Sequence, residues 1–370
     1  MTDISSGWMM QPASVRCKEI TVTALLLALC TFSALAWADG ERNSVPIIYT
    51  TDLYHPHDDP DDHFDLATLF AIPEFDIRAI VIDRGERGAD RPAIAAIRQI
   101  MRITKWNVPY ACGLIGNLTA PTDCAKSQPP EDQAGVSLIL RVLRESEQPV
   151  TVFTTGSLRD VAAAYNRDPG LFEAKVSRIY VNAGHSAHGV EWNVDLDRHA
   201  YFRILLSPLP VYWMPCFGED GYFSYWKFKQ SDVLDSAPLS VQNFFIYALN
   251  HASTGEFDPI QFLKMPISED VKKNIWEQER NMWCTAGFSH AASRPNGTFT
   301  FKNMNLIPDV ASATTQYSSN SEGIPVLTFY CENRDIYTKS MTETLCNLLA
   351  GLGRESSPPR LGEIQRGLNR

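Results

Sequence analysis

Residues 51–70 read TDLYHPHDDPDDHFDLATLF and concentrate the chemistry of this chain. Asp52, Asp58, Asp59, Asp61, Asp62 and Asp65 stand there, with His55, His57 and His63 among them. Carboxylates this close repel one another unless solvent or a cation separates them. Oxygen ligands of this type suit a hard cation, Ca²⁺ before Mg²⁺, because Ca²⁺ tolerates irregular geometry and bidentate carboxylates. The plainer alternative is a solvated acidic loop. The position of the cluster, between a buried apolar run and a helix, argues for the metal.

Elements to position such a site follow in order. VPIIYT (45–50) is a buried-type strand, and the acidic cluster lies at its C-terminal end. FDLATLFAI (64–72) reads as a helix stopped at Pro73, then FDIRAIVID (75–83) as a strand. Residues 89–103 have helical spacing, 108–112 read as a strand and 133–146 as a helix. PVTVFTTGSLRDVAAAY (149–165) is a strand, a turn at Thr155-Gly156-Ser157, and a helix with Ser157 as its candidate cap. SRIYVNAG (177–184), DLDRHAYFRILL (195–206) and PVYWMPC (210–216) continue the alternation. Helices are expected over 240–252 and 268–293, a strand over 325–331 and a last helix over 338–352. Strands alternating with helices imply an α/β fold with a mainly parallel central sheet flanked by helices. In such sheets ligands bind at the carboxyl ends of the strands. Asp52 with Asp61-Asp62, Thr155, and Glu191-Trp192-Asn193 all fall at such ends.

Four motifs in order resemble the nucleoside hydrolase family of the inosine-uridine preferring type. Asp61-Asp62 is followed by ten residues and Pro73-Glu74, as in that family. AIVIDRG (79–85) is similar to its second strand, TTGSLRDVAAAY (154–165) to its Thr-Gly-Pro-Leu turn and helix, and EWNVDLDRHA (191–200) to its Glu-Phe-Asn segment. The resemblance covers residues 45–215 well and 277–350 faintly. It implies a Rossmann-like single domain that hydrolyses the N-glycosidic bond of a nucleoside-like small molecule. It implies that Asp52, Asp62 and the Thr155 backbone carbonyl hold Ca²⁺, with Asp52 also the general base on a metal-bound water. Asp61, Glu191 and Asn193 would bind the ribose hydroxyls. Relatives in the family associate, so a homo-oligomer is compatible with it.

The chain also departs from that pattern. Eight residues (53–60) separate Asp52 from Asp61-Asp62, where the family has three. The family's third-strand Asn falls near Glu86 or Arg87 and is missing. Its late His-Asp pair aligns with Trp283 and Cys284, and a thiolate is a poor Ca²⁺ ligand. Asp58 or Asp59 from the inserted loop is one replacement. Trp283 would stack on the nucleobase, or be a core residue of an amphipathic helix.

Two other functions compete. One is an exported protein that binds a nucleoside or sugar without cleaving it. The other is a zinc hydrolase, since His55-Pro56-His57-Asp58-Asp59 resembles a His-x-His-x-Asp motif and His185 and His188 offer later ligands. Pro60 occupies the motif's final His position, and the βα pattern does not suit that fold. No G-x-S-x-G elbow supports a serine hydrolase.

The full chain has 370 residues and a net charge of −10, which argues against nucleic-acid binding and against affinity for anionic lipid. Arg16 and Lys18 precede an apolar run that ends in Ala36-Trp37-Ala38, the pattern of an export signal over 1–38. An uncleaved anchor is the alternative. The mature domain is then expected over 39–352, exported and not membrane-inserted, with a disordered tail over 353–370. An exported compartment permits disulfides, and Cys112 with Cys124 is the plausible local pair.

Overall fold

The computed structural model describes residues 44–53, 60–88, 93–187, 189–251, 255–294, 297–318 and 323–354. The segment 1–38 expected to be an export signal, His55, His57, Asp58, Asp59, His188 and residues 355–370 lie outside them.

The main elements run in this order: β1 (Val45–Thr51), α1 (Asp61–Ala71), β2 (Phe75–Ile82), α2 (Ile94–Thr104), β3 (Tyr110–Cys112), α3 (Ala134–Glu145), β4 (Val150–Thr154), α4 (Arg159–Arg167), β5 (Val176–Val181), α5 (Trp192–Leu196), α6 (Arg198–Leu205) and β6 (Val211–Trp213). Then come β7 (Trp226–Lys229), α7 (Leu239–Ile246), α8 (Glu269–Trp276), β8 (Glu279–Met282), α9 (Thr285–Ala291), β9 (Thr300–Asp309), β10 (Thr314–Ser318), β11 (Ile324–Tyr330) and α10 (Arg334–Gly351). Nine strands form one sheet in the order β10-β9-β11-β6-β5-β4-β1-β2-β3. From β11 to β3 every neighbouring pair is parallel, while β9 runs antiparallel to β11 and β10. This is the expected α/β architecture.

Strands β1 and β4 are buried along nearly their whole length, as strands covered on both faces must be. One apolar cluster includes Phe64, Phe70 and Ile97 under α1 and α2; the other includes Val136, Ile139 and Val161 under α3 and α4. After β3 the chain crosses to the other side of β1. The order therefore reverses between β1 and β4, which opens a crevice beyond their carboxyl ends.

Three expectations are corrected. Residues 268–293 are not one helix: α8 ends at Trp276, β8 pairs antiparallel with β7, and α9 begins at Thr285. The cause is a period of two, since Arg280 and Met282 are buried while Glu279 and Asn281 face out. The helix expected over 195–206 is two helices, broken at Asp197, whose extended backbone and side chain cap α6 through Ala200 N at 3.0 Å. Cys112 and Cys124 do not pair; all six cysteines of the described residues are free.

Candidate active site

Site geometry begins at the ends of β1 and β4. Thr50 and Thr154 are register partners, and Thr155 N donates to Thr50 O at 2.9 Å. Beyond them the turn at Gly156 presses on Asp52: a Cβ at Gly156 would lie 2.9 Å from Asp52 N and 3.1 Å from Asp83 Oδ2. Only glycine permits that approach. Helix α1 starts at Asp61, three residues earlier than expected, so Asp61 and Asp62 occupy its first turn. Acids are favoured there by the helix dipole.

A cavity of about 390 Å³ sits in the crevice, within the range of small-molecule sites. Its wall includes Asp52, Asp61, Asp62, Thr155, Glu191, Asn193 and Trp283, so all seven residues singled out from the sequence meet at one place. Leu53, His63, Asn182, Trp192, Cys216, Phe217 and Cys284 complete it.

Asp62 is held hard. Thr155 Oγ1 donates to Asp62 Oδ1 at 2.5 Å, and Tyr49 OH donates to the same oxygen at 3.2 Å. Asp52 and Asp62 are both buried and adjacent. Burial pushes the Asp52 carboxyl well above its usual range, with Asp62, Asp83 and Asp61 adding to it. Burial raises Asp62 as well, against the hydrogen bonds that pull it back. Among the described residues, no lysine or arginine is part of this wall. Two buried carboxylates with no cationic side chain beside them, plus the Thr155 carbonyl, fit a hard divalent cation in donor type and in charge. Among the described residues no group of three or more His, Cys, Asp or Glu side chains is arranged for a metal. Cys284, where the resemblance expects a further acid, is on the same wall. Burial and nearby Asp65 and Asp62 keep the Cys284 thiol protonated. Burial with Glu191 and Asp61 does the same for Cys216.

Glu191 caps α5, accepting from Gly184 N at 2.8 Å, Asn193 N at 3.0 Å and Val194 N at 3.4 Å. Burial raises its carboxyl, and these donors pull it back. Asn193 Nδ2 donates to Asn182 O at 3.3 Å and Thr155 O at 3.4 Å. Trp283 lies in the turn between β8 and α9, not on a helix. It meets Phe217 edge to face with centroids 5.8 Å apart, and Tyr225 at 5.7 Å. Phe217 and Trp192 are 42% and 46% exposed, which puts aromatic surface at the rim. His185 receives Ala187 N on Nδ1 at 3.1 Å and is not part of the wall.

Beneath the site lies a buried ion network that nothing local in the sequence marks. Arg159 is 1% exposed, and its Nη1 donates to Asp83 Oδ1 at 3.0 Å and its Nε to Asp197 Oδ2 at 3.3 Å. Nη2 donates to Asn117 Oδ1 at 2.8 Å and Leu196 O at 2.9 Å. Asp83 in turn accepts from Ser157 N at 2.8 Å. This network joins the turn carrying Thr155 to the end of the helix that carries Asn193.

The sequence model of the inosine-uridine preferring nucleoside hydrolases matches residues 47–240. The pyrimidine-specific ribonucleoside hydrolase RihA of Salmonella arizonae is 28% identical over 189 residues, 45% of this chain and 59% of that protein. RihA of Escherichia coli is 26% identical over the same length. The chain thus spans 59% of the length of these curated relatives. A plant nucleoside hydrolase structure shares the fold with TM-score 0.56 at 14% identity, over 83% of this chain and 99% of that one. A purine-preferring ribonucleoside hydrolase from Gardnerella vaginalis gives 0.50 at 15% identity, over 82% and 99%. With the matched region running from β1 through β7 and holding every wall residue except Trp283 and Cys284, the chain belongs to the inosine-uridine preferring nucleoside hydrolase family.

Proposed function

We propose that this protein hydrolyses the N-glycosidic bond of a nucleoside-like substrate, releasing a base and ribose, with Ca²⁺ as cofactor. The observation that carries the reading is the wall itself. Asp52, Asp61, Asp62, Glu191 and Asn193 converge on one cavity that also holds Trp283 and Phe217. Carboxylates and amide oxygens accept from sugar hydroxyls, and an aromatic ring takes the planar base. Among the described residues the wall holds no lysine or arginine, which favours a neutral nucleoside over a phosphorylated one.

Asp52, Asp62 and the Thr155 carbonyl would hold the cation, which supplies positive charge that makes a water more acidic. Asp52 takes the proton of the attacking water, a task open to a buried carboxylate on the cavity wall. Asp61, Glu191 and Asn193 fix the sugar. The neighbouring carboxylates stabilise the oxocarbenium-like charge that develops at the anomeric carbon. Export through residues 1–38 belongs to the same proposal.

A second reading has its own observation. Cys284 stands on the wall where the resemblance expects an acid, which favours a binder that does not turn over. One experiment separates the two: release of free ribose from inosine, uridine, adenosine and cytidine, with Ca²⁺ and after chelation. Release that stops on chelation supports the hydrolase. Thermal stabilisation by the same nucleosides without release supports the binder. Neither effect contradicts both.

A further inference from the structure

Asn182 directly follows β5. Its Nδ2 donates to Thr154 O at 3.0 Å. Asn193 spends its own Nδ2 on Thr155 O and Asn182 O. Main-chain carbonyls therefore orient both carboxamides; a flip would set oxygen against oxygen. The consequence is that both Oδ1 atoms are fixed as acceptors. Neither has a hydrogen-bond partner among the described residues, although Asn182 is 1% and Asn193 9% exposed. Both residues are part of the same cavity wall. Buried acceptors in native structures are nearly always paired, so an unpaired one on a cavity wall points to a ligand donor.

We infer that Asn182 Oδ1 accepts a hydrogen bond from a hydroxyl of the sugar, as a specificity-determining residue beside Asn193. The inference rests on the nucleoside reading of this cavity. It names a substrate requirement: a furanoside that carries the hydroxyl facing Asn182, discriminated from the deoxy analogue that leaves the oxygen unpaired. A site built to bond a hydroxyl rejects the analogue lacking it far more strongly than a merely snug site does.

The test compares a ribonucleoside that the wild type cleaves with its 2′-, 3′- and 5′-deoxy analogues. In the wild type, one analogue should lose about 10- to 100-fold in kcat/KM through the contact with Asn182. In Asn182→Ala that loss should shrink to near unity, while the losses for the other analogues persist. Asn182→Ser provides the same comparison if the alanine variant folds poorly, and a ratio within one variant is insensitive to the amount of folded protein. Identical losses in wild type and variant overturn the inference. So does a drop in Ca²⁺ affinity on calorimetry with unchanged losses, because Asn182 would then serve the cation. If the wild type cleaves no nucleoside, the hydrolase reading fails, and the same ratios are read from Kd of the four compounds. A penalty abolished in the variant still supports the role of Asn182; absence of binding by all four overturns it.

Discussion

Asp160, next to the buried Arg159, makes a quantitative test of the scaffold behind the site. Its two carboxylate oxygens accept only from Leu114 N, at 3.2 and 3.3 Å, among the described hydrogen bonds. Burial, then the Asp83 charge, raise its pKa from 3.8 to about 7, with Arg159 pulling the other way. The sign follows directly. Between those values the folded protein holds a proton that the unfolded chain has lost, so this group's contribution is complete below the unfolded pKa. It is lost as pH rises to about 7. The whole window corresponds to about 4 kcal/mol, and the part between about pH 5 and pH 8 to about 3 kcal/mol. Asparagine resembles the protonated acid in shape and has no charge to bury. Asp160→Asn should therefore gain on the wild type by about 3 kcal/mol between about pH 5 and pH 8 in urea denaturation. A stability difference that stays constant over that range would refute the account of Asp160.

Further outcomes follow from the same geometry. Arg159→Leu strips Asp83 and Asp197 of their guanidinium partner and should destabilise by about 3–5 kcal/mol; a loss below about 1 kcal/mol would mean the network is not structural. Cys284→Asp returns an anionic oxygen donor to the wall. One added charge at an effective dielectric of ~20 should tighten divalent-cation binding on calorimetry by about 10- to 1000-fold, and an unchanged Kd would remove Cys284 from the metal's surroundings.

Much of this was legible in the sequence because the signals are local. The apolar runs of β1 and β4, the helical spacing after each, and the acids at the strand ends specify a mainly parallel sheet with its site at the carboxyl ends of the strands. Asp52 and Thr155 come together because register partners Thr50 and Thr154 precede them. The unread parts depend on distant partners. Trp226 and Phe228 alternate with Lys227 and Lys229, a period of two that marks β7, but its meaning emerges only against β8 some fifty residues later. No glycine or proline separates Trp276 from Thr285, so the end of α8 carried no local sign. Strand β9 mixes polar with apolar residues and is mostly exposed or half-buried, which hides it from a hydrophobic pattern. Arg159 looks like one more charge on a helix until Asp83, Asp197 and Asn117 are seen around it. Asn182 likewise carries no mark in sequence; its unpaired oxygen is fixed as an acceptor only because Thr154 O takes the amide's Nδ2.

The central claim is that Asp52 removes the proton from the attacking water. Its most direct test is the initial rate of ribose release, in saturating Ca²⁺, by the wild type and by Asp52→Asn after both are shown to fold. The account predicts release by the wild type and a rate about 10²- to 10⁴-fold lower in the variant. A variant rate within about threefold of the wild type, well short of a general base's usual contribution, would contradict it.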